Sequence, residues 1–395
     1  MNTVNSTHPS SALAAGAAPS LETLPTPALV LDRDRLDRNI ERLATRMAAH
    51  GVRLRPHLKS AKSIDVAKRL FPDQPGPITV STLAEAEYFA SHGFRDITYA
   101  VGLSPDKAER ALRLRATGVD LKVVLDTPEQ ARALGAAGKA AGVTPCALIE
   151  IDCDGHRGGL MPSDPLLIEV AASLRDAGVE LVGVLTHAGE SYGLNTPEDL
   201  VVAAEGERAA AVAAAEALRS RGYPCAIVSV GSTPTAHFAR SLEGVTEMRA
   251  GVYMFFDLVM HGIGVCRIDD IALSVLTTVI GKKAEKGWIL VDAGWMAMSR
   301  DRGTSSQTVD QGYGLVCDLE GRLYPDLIVD QVSQEHGILA LRSGSDQTLP
   351  DLPMGTRLRI LPNHACATGA QHPTYQVISG GGPRIEAQWP RMRGW

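Results

Sequence analysis

Five short segments of the chain concentrate reactive and polar side chains: Arg55-Pro56-His57-Leu58-Lys59, the run from Asp152 to Gly159, the run from Thr186 to Tyr192, Gly231-Ser232-Thr233-Pro234-Thr235, and Arg249-Ala250-Gly251-Val252-Tyr253. In the first, Lys59 is a candidate electrophile carrier. A lysine amine joins an aldehyde cofactor as an imine, and partial burial lowers its pKa enough to make it reactive. Most lysines are simply solvated, and Lys62 offers a second amine three residues on, expected on the helix that follows. In the fourth, Gly231 lets backbone N–H groups approach an anion while Ser232 and Thr233 add hydroxyl donors; Gly251 and its neighbours could complete a phosphate cradle. The plain alternative there is a turn and helix cap. A sixth segment, His364-Ala365-Cys366, sets an imidazole and a thiol two residues apart. On an extended strand both point the same way and could share one metal ion, zinc by the preference of thiolate, with manganese, cobalt or nickel also admissible. By spacing alone, a buried cysteine beside a packed histidine is the commoner arrangement.

These segments need elements to hold them. Short β-branched or apolar runs at 52–55, 78–81, 97–101, 121–125, 147–151, 182–186, 226–230 and 245–249 alternate with helical patterns such as 105–117, 128–141, 165–177 and 197–221, several opening on proline. Eight strands alternating with helices predict an α/β fold, a (β/α)₈ TIM-type barrel, whose reactive groups lie on loops after the strands. The absence of a Gly-x-Gly-x-x-Gly fingerprint argues against an open dinucleotide-binding sheet. Residues 27–31 read as a strand preceding the barrel, of either part. Asp32 or Asp34 is placed to cap a helix on which Leu36, Ile40, Leu43 and Met47 form a buried stripe. From about residue 271 the pattern turns to strands (272–280, 288–292, 327–329, 357–361). The expected organisation is a flexible leader at 1–21, a barrel at 22–265 and a mainly β domain at 266–395.

Composition sets limits. With 395 residues, 45% apolar and 21% charged, and a net charge of -6, the chain can bury a large core and offers no basic surface for nucleic acid or an anionic membrane. Six scattered cysteines fit a reducing cytoplasm better than a disulfide framework. No apolar run is long enough for a membrane span.

Taken together, Arg55 to Lys62, the Glu150-Ile151-Asp152-x-Asp154-Gly155-His156-Arg157 segment, Thr186-His187-Ala188-Gly189 and Pro362-Asn363-His364-Ala365-Cys366 resemble the D-serine dehydratase-like enzymes, which share the alanine racemase barrel of fold type III pyridoxal-phosphate enzymes. The resemblance spans roughly residues 22 to 395. It implies pyridoxal 5'-phosphate on Lys59, Arg157 at the cofactor's phenolic oxygen, and a phosphate cup of Gly231, Ser232, Thr233, Gly251 and Val252. It further implies Arg249 near the pyridine nitrogen with Tyr253 in reach, and His364 and Cys366 as the metal pair. The implied activity is loss of the β-hydroxyl from a D-β-hydroxy amino acid followed by hydrolysis to a 2-oxo acid and ammonia, a hydroxyaspartate first and serine next, with Lys59 as base and the metal on the leaving hydroxyl. Aldol cleavage on the same scaffold is the rival reaction, and a non-catalytic cofactor-binding protein the rival class. A substrate β-carboxylate needs a cation, for which Arg300 and Arg302 are candidates. His187, Tyr192, Gln334 and His336 are further candidates for the pocket wall. The resemblance also implies a homodimer.

Overall fold

The computed structural model describes residues 19–395. The first strand, β1 (Ala28–Asp32), runs into a helix at Arg33–Ala49, whose start is set by Asp32: its carboxylate accepts from the backbone N–H groups of Asp34 and Arg35, each at 3.1 Å. Leu36, Ile40, Leu43 and Met47 are buried on that helix, as their spacing predicts.

Eight strands then form one wholly parallel sheet: β2 (Arg53–Pro56), β3 (Ile78–Val80), β4 (Asp96–Gly102), β5 (Asp120–Leu125), β6 (Cys146–Ile151), β7 (Glu180–Thr186), β8 (Ile227–Val230) and β9 (Glu247–Ala250). Each overlaps one of the eight strands expected from the sequence. The hydrogen-bonded order is β2-β9-β8-β7-β6-β5-β4-β3. β2 and β3, at its two ends, meet through a single bridge between His57 and Thr79, where Leu58 N–H donates to Thr79 O at 2.9 Å. The barrel therefore closes through its thinnest seam, two residues before Lys59. Helices at Pro105–Ala116, Pro128–Ala141, Leu166–Asp176 and Pro197–Ser220 match the expected positions; three begin on proline, whose missing N–H costs nothing in a first turn.

The second sheet contains β10 (Leu273–Lys283), β11 (Trp288–Val291), β12 (Gly314–Cys317), β13 (Leu323–Val332), β14 (Gly337–Leu341), β15 (Arg357–Pro362), β16 (Thr374–Ile378) and β17 (Ala387–Pro390). β10, β11, β14, β13, β12 and β15 pair round in a closed antiparallel ring, and β1, β16 and β17 extend from β10. β1 thus belongs to this sheet, antiparallel to β10 and parallel to β16, although it precedes the barrel in sequence. The expected leader at 1–21 falls outside the described residues up to 18, but its last residues are fixed. Ser20 bridges Arg384, and Leu21 is fully buried with its N–H on Pro383 O. One apolar core runs continuously through both sheets. Among the described residues, no helix is long and apolar enough to cross a membrane.

Candidate active site

A cavity of about 810 Å³ opens at the C-terminal ends of the barrel strands, where the polar segments gather. Lys59 enters it from the turn after β2. The residue as a whole is exposed and lines the cavity, while the protein packed round it partly desolvates the amine. That burial lowers its pKa; the Cys366 thiolate opposes the shift and Arg157 adds to it. Lys62, the neighbouring amine, does not sit on a helix as expected. It precedes the helix Ile64–Leu70 at a φ of +48°, and its amine is tied to Glu85 at 3.1 Å.

The turns after β8 and β9 build a cradle. Gly231 has a φ of +142°, and a Cβ there would lie 2.0 Å from Arg249 O, so only glycine lets the two turns approach so closely. Gly251 packs against the lysine turn, where a Cβ would fall 3.0 Å from Ser60 Oγ. Ser232 caps the short helix Thr233–Phe238, and Thr233 N–H donates to Tyr192 OH at 3.4 Å. Burial raises the Tyr192 phenol well above its ordinary value. His187 gives one ring nitrogen, Nδ1, to Gly231 O at 2.8 Å. A carbonyl can only accept, so Nδ1 carries the proton; burial pushes the ring pKa down to about 3, which leaves His187 neutral.

Arg249 projects from β9 into the barrel, fully desolvated. Nη1 donates to Ser229 Oγ at 2.9 Å and Nη2 to Thr186 O at 2.7 Å, and no carboxylate touches it. Burial lowers its pKa to about 10 against the distant pull of Glu207 and Glu247. Its Nε, Thr233 Oγ1 and the Tyr253 hydroxyl are all buried with no protein partner. Buried polar groups are ordinarily paired, so the two orphans on the cavity lining, Arg249 Nε and Thr233 Oγ1, fit a bound polar group that supplies the missing contacts. Arg249, Thr233 and Val252 line the cavity; Tyr253 lies behind its wall. Arg157 lines the mouth from the loop after β6.

His364 and Cys366 also line the cavity, Cys366 beside the turn that carries Lys59. They are not on an extended segment, as their spacing suggested: His364 caps the helix Ala365–Gln371 and Cys366 lies in its first turn. The helix start still brings the side chains within hydrogen-bond reach of each other. His364 Nδ1 contacts Asp301 Oδ2 at 2.7 Å, and Cys366 Sγ contacts Ser60 Oγ at 3.1 Å. Burial opposes charge on both. Hydrogen bonds to Asp301 and Cys366 nevertheless push His364 up to about 11, and His364 brings the Cys366 thiol below its ordinary value. A thiol with a lowered pKa beside a histidine oriented by a carboxylate supplies the donor types of a metal site once both have lost their protons. Among the described residues no group of three or more His, Cys, Asp or Glu is placed to hold a metal ion, so His364 and Cys366 stand as a candidate pair.

Arg300 and Arg302 fall outside the lining. The Arg300 guanidinium stacks over Trp295 at 5.4 Å; Arg302 is paired with Asp310 at 2.6 Å and lies over Tyr313. Gln334 and His336 are exposed on the turn between β13 and β14 and do not reach the cavity. The neighbour between Arg300 and Arg302, Asp301, which the sequence reading did not single out, does line the cavity and contacts His364. The sequence reading also missed His57, which lines the cavity beside Lys59 and whose ring is held neutral by burial and the Lys59 charge. Glu207 was missed as well: it reaches in from the helix Pro197–Ser220 to accept from Ala188 N, Gly231 N and Thr235 Oγ1. Only the position of His57 at a strand end carried a readable signal.

The description "Alanine racemase, N-terminal domain" matches residues 31–259, and "Putative serine dehydratase domain" matches residues 272–378. The chain belongs to this alanine racemase-like D-serine dehydratase family. Within it, the chain is 55% identical over 379 residues to D-threo-3-hydroxyaspartate dehydratase of Delftia sp. strain HT23, covering 95% of this chain and 99% of that one. It is 30% identical to a D-serine dehydratase of Dictyostelium discoideum, covering 91% and 94%. The solved structure of the Delftia enzyme superposes with a TM-score of 0.92 over 95% of this chain and all of that one, and so does its cysteine-to-alanine variant in a metal-free form. A histidine-to-alanine variant of the same enzyme is altered two positions from that cysteine, the spacing of His364 and Cys366.

Proposed function

We propose that this chain is a pyridoxal-phosphate- and divalent-metal-dependent dehydratase that converts D-threo-3-hydroxyaspartate to oxaloacetate and ammonia. One observation carries the reading. In a chain 55% identical along nearly its whole length to a dehydratase of that substrate, one cavity is lined by Lys59, whose pKa burial lowers, and by His364 and Cys366.

Lys59 would hold the coenzyme, with Gly231, Ser232, Thr233, Gly251 and Val252 around its phosphate and Arg157, His187, Tyr192, Arg249 and Tyr253 about the rest. The coenzyme supplies an electron sink for charge at the substrate Cα, and a divalent ion at His364 and Cys366, zinc by donor type, supplies Lewis acidity at the β-hydroxyl. Lys59 Nζ, freed when the substrate amine takes its place on the coenzyme, would be the base for the Cα proton, its protonated form disfavoured by burial. His187, held neutral, adds no competing positive charge. Arg249 keeps its cation because its pKa, although lowered, remains about 10; beside a ring nitrogen it disfavours protonation there. Asp301 fixes the orientation of His364, and Ser60 steadies the Cys366 sulfur.

With all six cysteines free, the protein suits a reducing cytoplasm, and the family resemblance supports a homodimer. The test is product analysis of D-threo-3-hydroxyaspartate, D-serine and D-threonine, before and after chelator treatment. Ammonia with a 2-oxo acid, fastest from hydroxyaspartate and lost on chelation, is expected. Glycine with an aldehyde would assign an aldolase instead.

A further inference from the structure

The Lys59 turn and the helix carrying Cys366 come from chain segments some three hundred residues apart, yet they must hold a fixed spacing if base and metal are to act on one substrate. Their direct contact is the single Cys366–Ser60 hydrogen bond. Behind it lies a second tie. Arg391, near the end of the chain and only 7% exposed, spreads its guanidinium between the two segments. Nε donates to Ala61 O at 3.2 Å and Nη2 to Ser60 O at 3.4 Å, both in the turn directly after Lys59. Nη1 donates to Gly369 O and to His372 O at 3.2 Å, at the C-terminal end of the Cys366 helix. Tyr375, fully buried, accepts from Arg391 Nε at 2.8 Å and donates to Ala61 O at 2.8 Å. Met392 N–H closes the strap on Lys62 O at 2.7 Å.

The chemistry explains the choice of residue. The last carbonyls of a helix lack intrahelical donors and carry partial negative charge, so a guanidinium satisfies them well. Its planar fork reaches both segments at fixed angles, which a lysine ammonium cannot do. Gly369 allows the approach: a Cβ there would stand 3.3 Å from Nη2.

We propose that Arg391, supported by Tyr375, is a positioning residue that sets the placement of the Cys366 metal ligand relative to Lys59. This rests on the metal reading given above. Full-length, coenzyme-loaded protein stripped of metal is titrated with Co²⁺, which reports both affinity and the thiolate-to-cobalt absorption band. In Arg391→Lys the Co²⁺ affinity is expected to fall roughly ten- to a hundredfold, as for partners that orient metal ligands, with a shifted band. Tyr375→Phe, which keeps the buried ring, is expected to move both readouts less and in the same direction. Affinity and spectrum unchanged in both variants, while the parent binds Co²⁺ through Cys366, would overturn the role of Arg391 alone. Parent protein that binds no Co²⁺, or a Cys366→Ala variant that binds as well as the parent, would instead remove the metal reading and this inference with it.

Discussion

The two ends of the barrel both bury charge, and they treat it in opposite ways. Arg55, 1% exposed, turns its side chain to the floor, where β4 and β9 begin, and is fully engaged: it donates to Glu247 Oε2 and Asp96 Oδ1, each at 2.8 Å. Lys122 completes the network on Asp96 and Asp120. Burial disfavours the Arg55 cation, but Glu247 and Asp96 outweigh it and raise its pKa. At the mouth, Arg249 is as buried and is the register partner of Arg55 across β2 and β9, yet it touches no carboxylate and keeps an unpaired Nε. Ser229 joins the two layers, donating to Glu247 and accepting from Arg249. The floor is finished by the protein itself, whereas the mouth is left incomplete for a ligand. A buried charge marks function here only where its partners are missing.

Exchanging the two arginines' roles in stability and turnover is the strongest way to break that contrast. Arg55→Gln leaves Glu247 buried without its cation and is expected to cost about 3–5 kcal/mol in urea unfolding, while the folded fraction retains coenzyme. Arg249→Gln is expected to do the reverse: turnover falls about tenfold or more and the coenzyme spectrum changes, with little loss of stability. Equal stability losses would erase the distinction. Next in size, Cys366→Ala should lower ammonia release by about a hundredfold, the scale of a lost Lewis acid, without expelling the coenzyme; retained turnover would separate Cys366 from the chemistry.

A smaller effect sharpens the floor. Burial alone would raise the Asp96 pKa, but Arg55 and Lys122 outweigh it and hold the carboxyl below its ordinary range. A depressed folded-state pKa contributes stability that is present above the unfolded value and lost as pH falls through the folded one. Asp96→Asn should therefore flatten the acid limb of the stability curve below about pH 4, read by urea unfolding at stepped pH. The smallest change is expected at Arg302→Ala. Arg302 is paired with Asp310 outside the cavity, so hydroxyaspartate turnover should stay within about twofold, the scale of an exposed ion pair. A loss selective for hydroxyaspartate over D-serine would return Arg302 to the site.

The barrel was legible because its strands are buried on both faces and alternate with helices that announce their starts, as Pro105, Pro128 and Pro197 do. The β domain was less so. β12 is four residues long, and β17 is half exposed, so neither gives a run distinct from a loop. Lys59, His364 and Cys366 stood out through resemblance, since a lone lysine or a His-x-Cys pair has commoner uses. Arg300 and Arg302 show the limit of a cation count. Residue type names a partner for a carboxylate, but only the fold showed Trp295 and Asp310 already holding them. Asp301 and Glu207 act through contacts with residues far away in sequence, and no local pattern encodes those.

The central claim places one covalent bond at one amine. Borohydride reduction of the coenzyme-loaded protein, followed by peptide mass mapping, should find the pyridoxyl mass on Lys59 and on no other lysine. The same mass on Lys62, whose amine is held by Glu85, or its absence from the whole chain, would contradict the account.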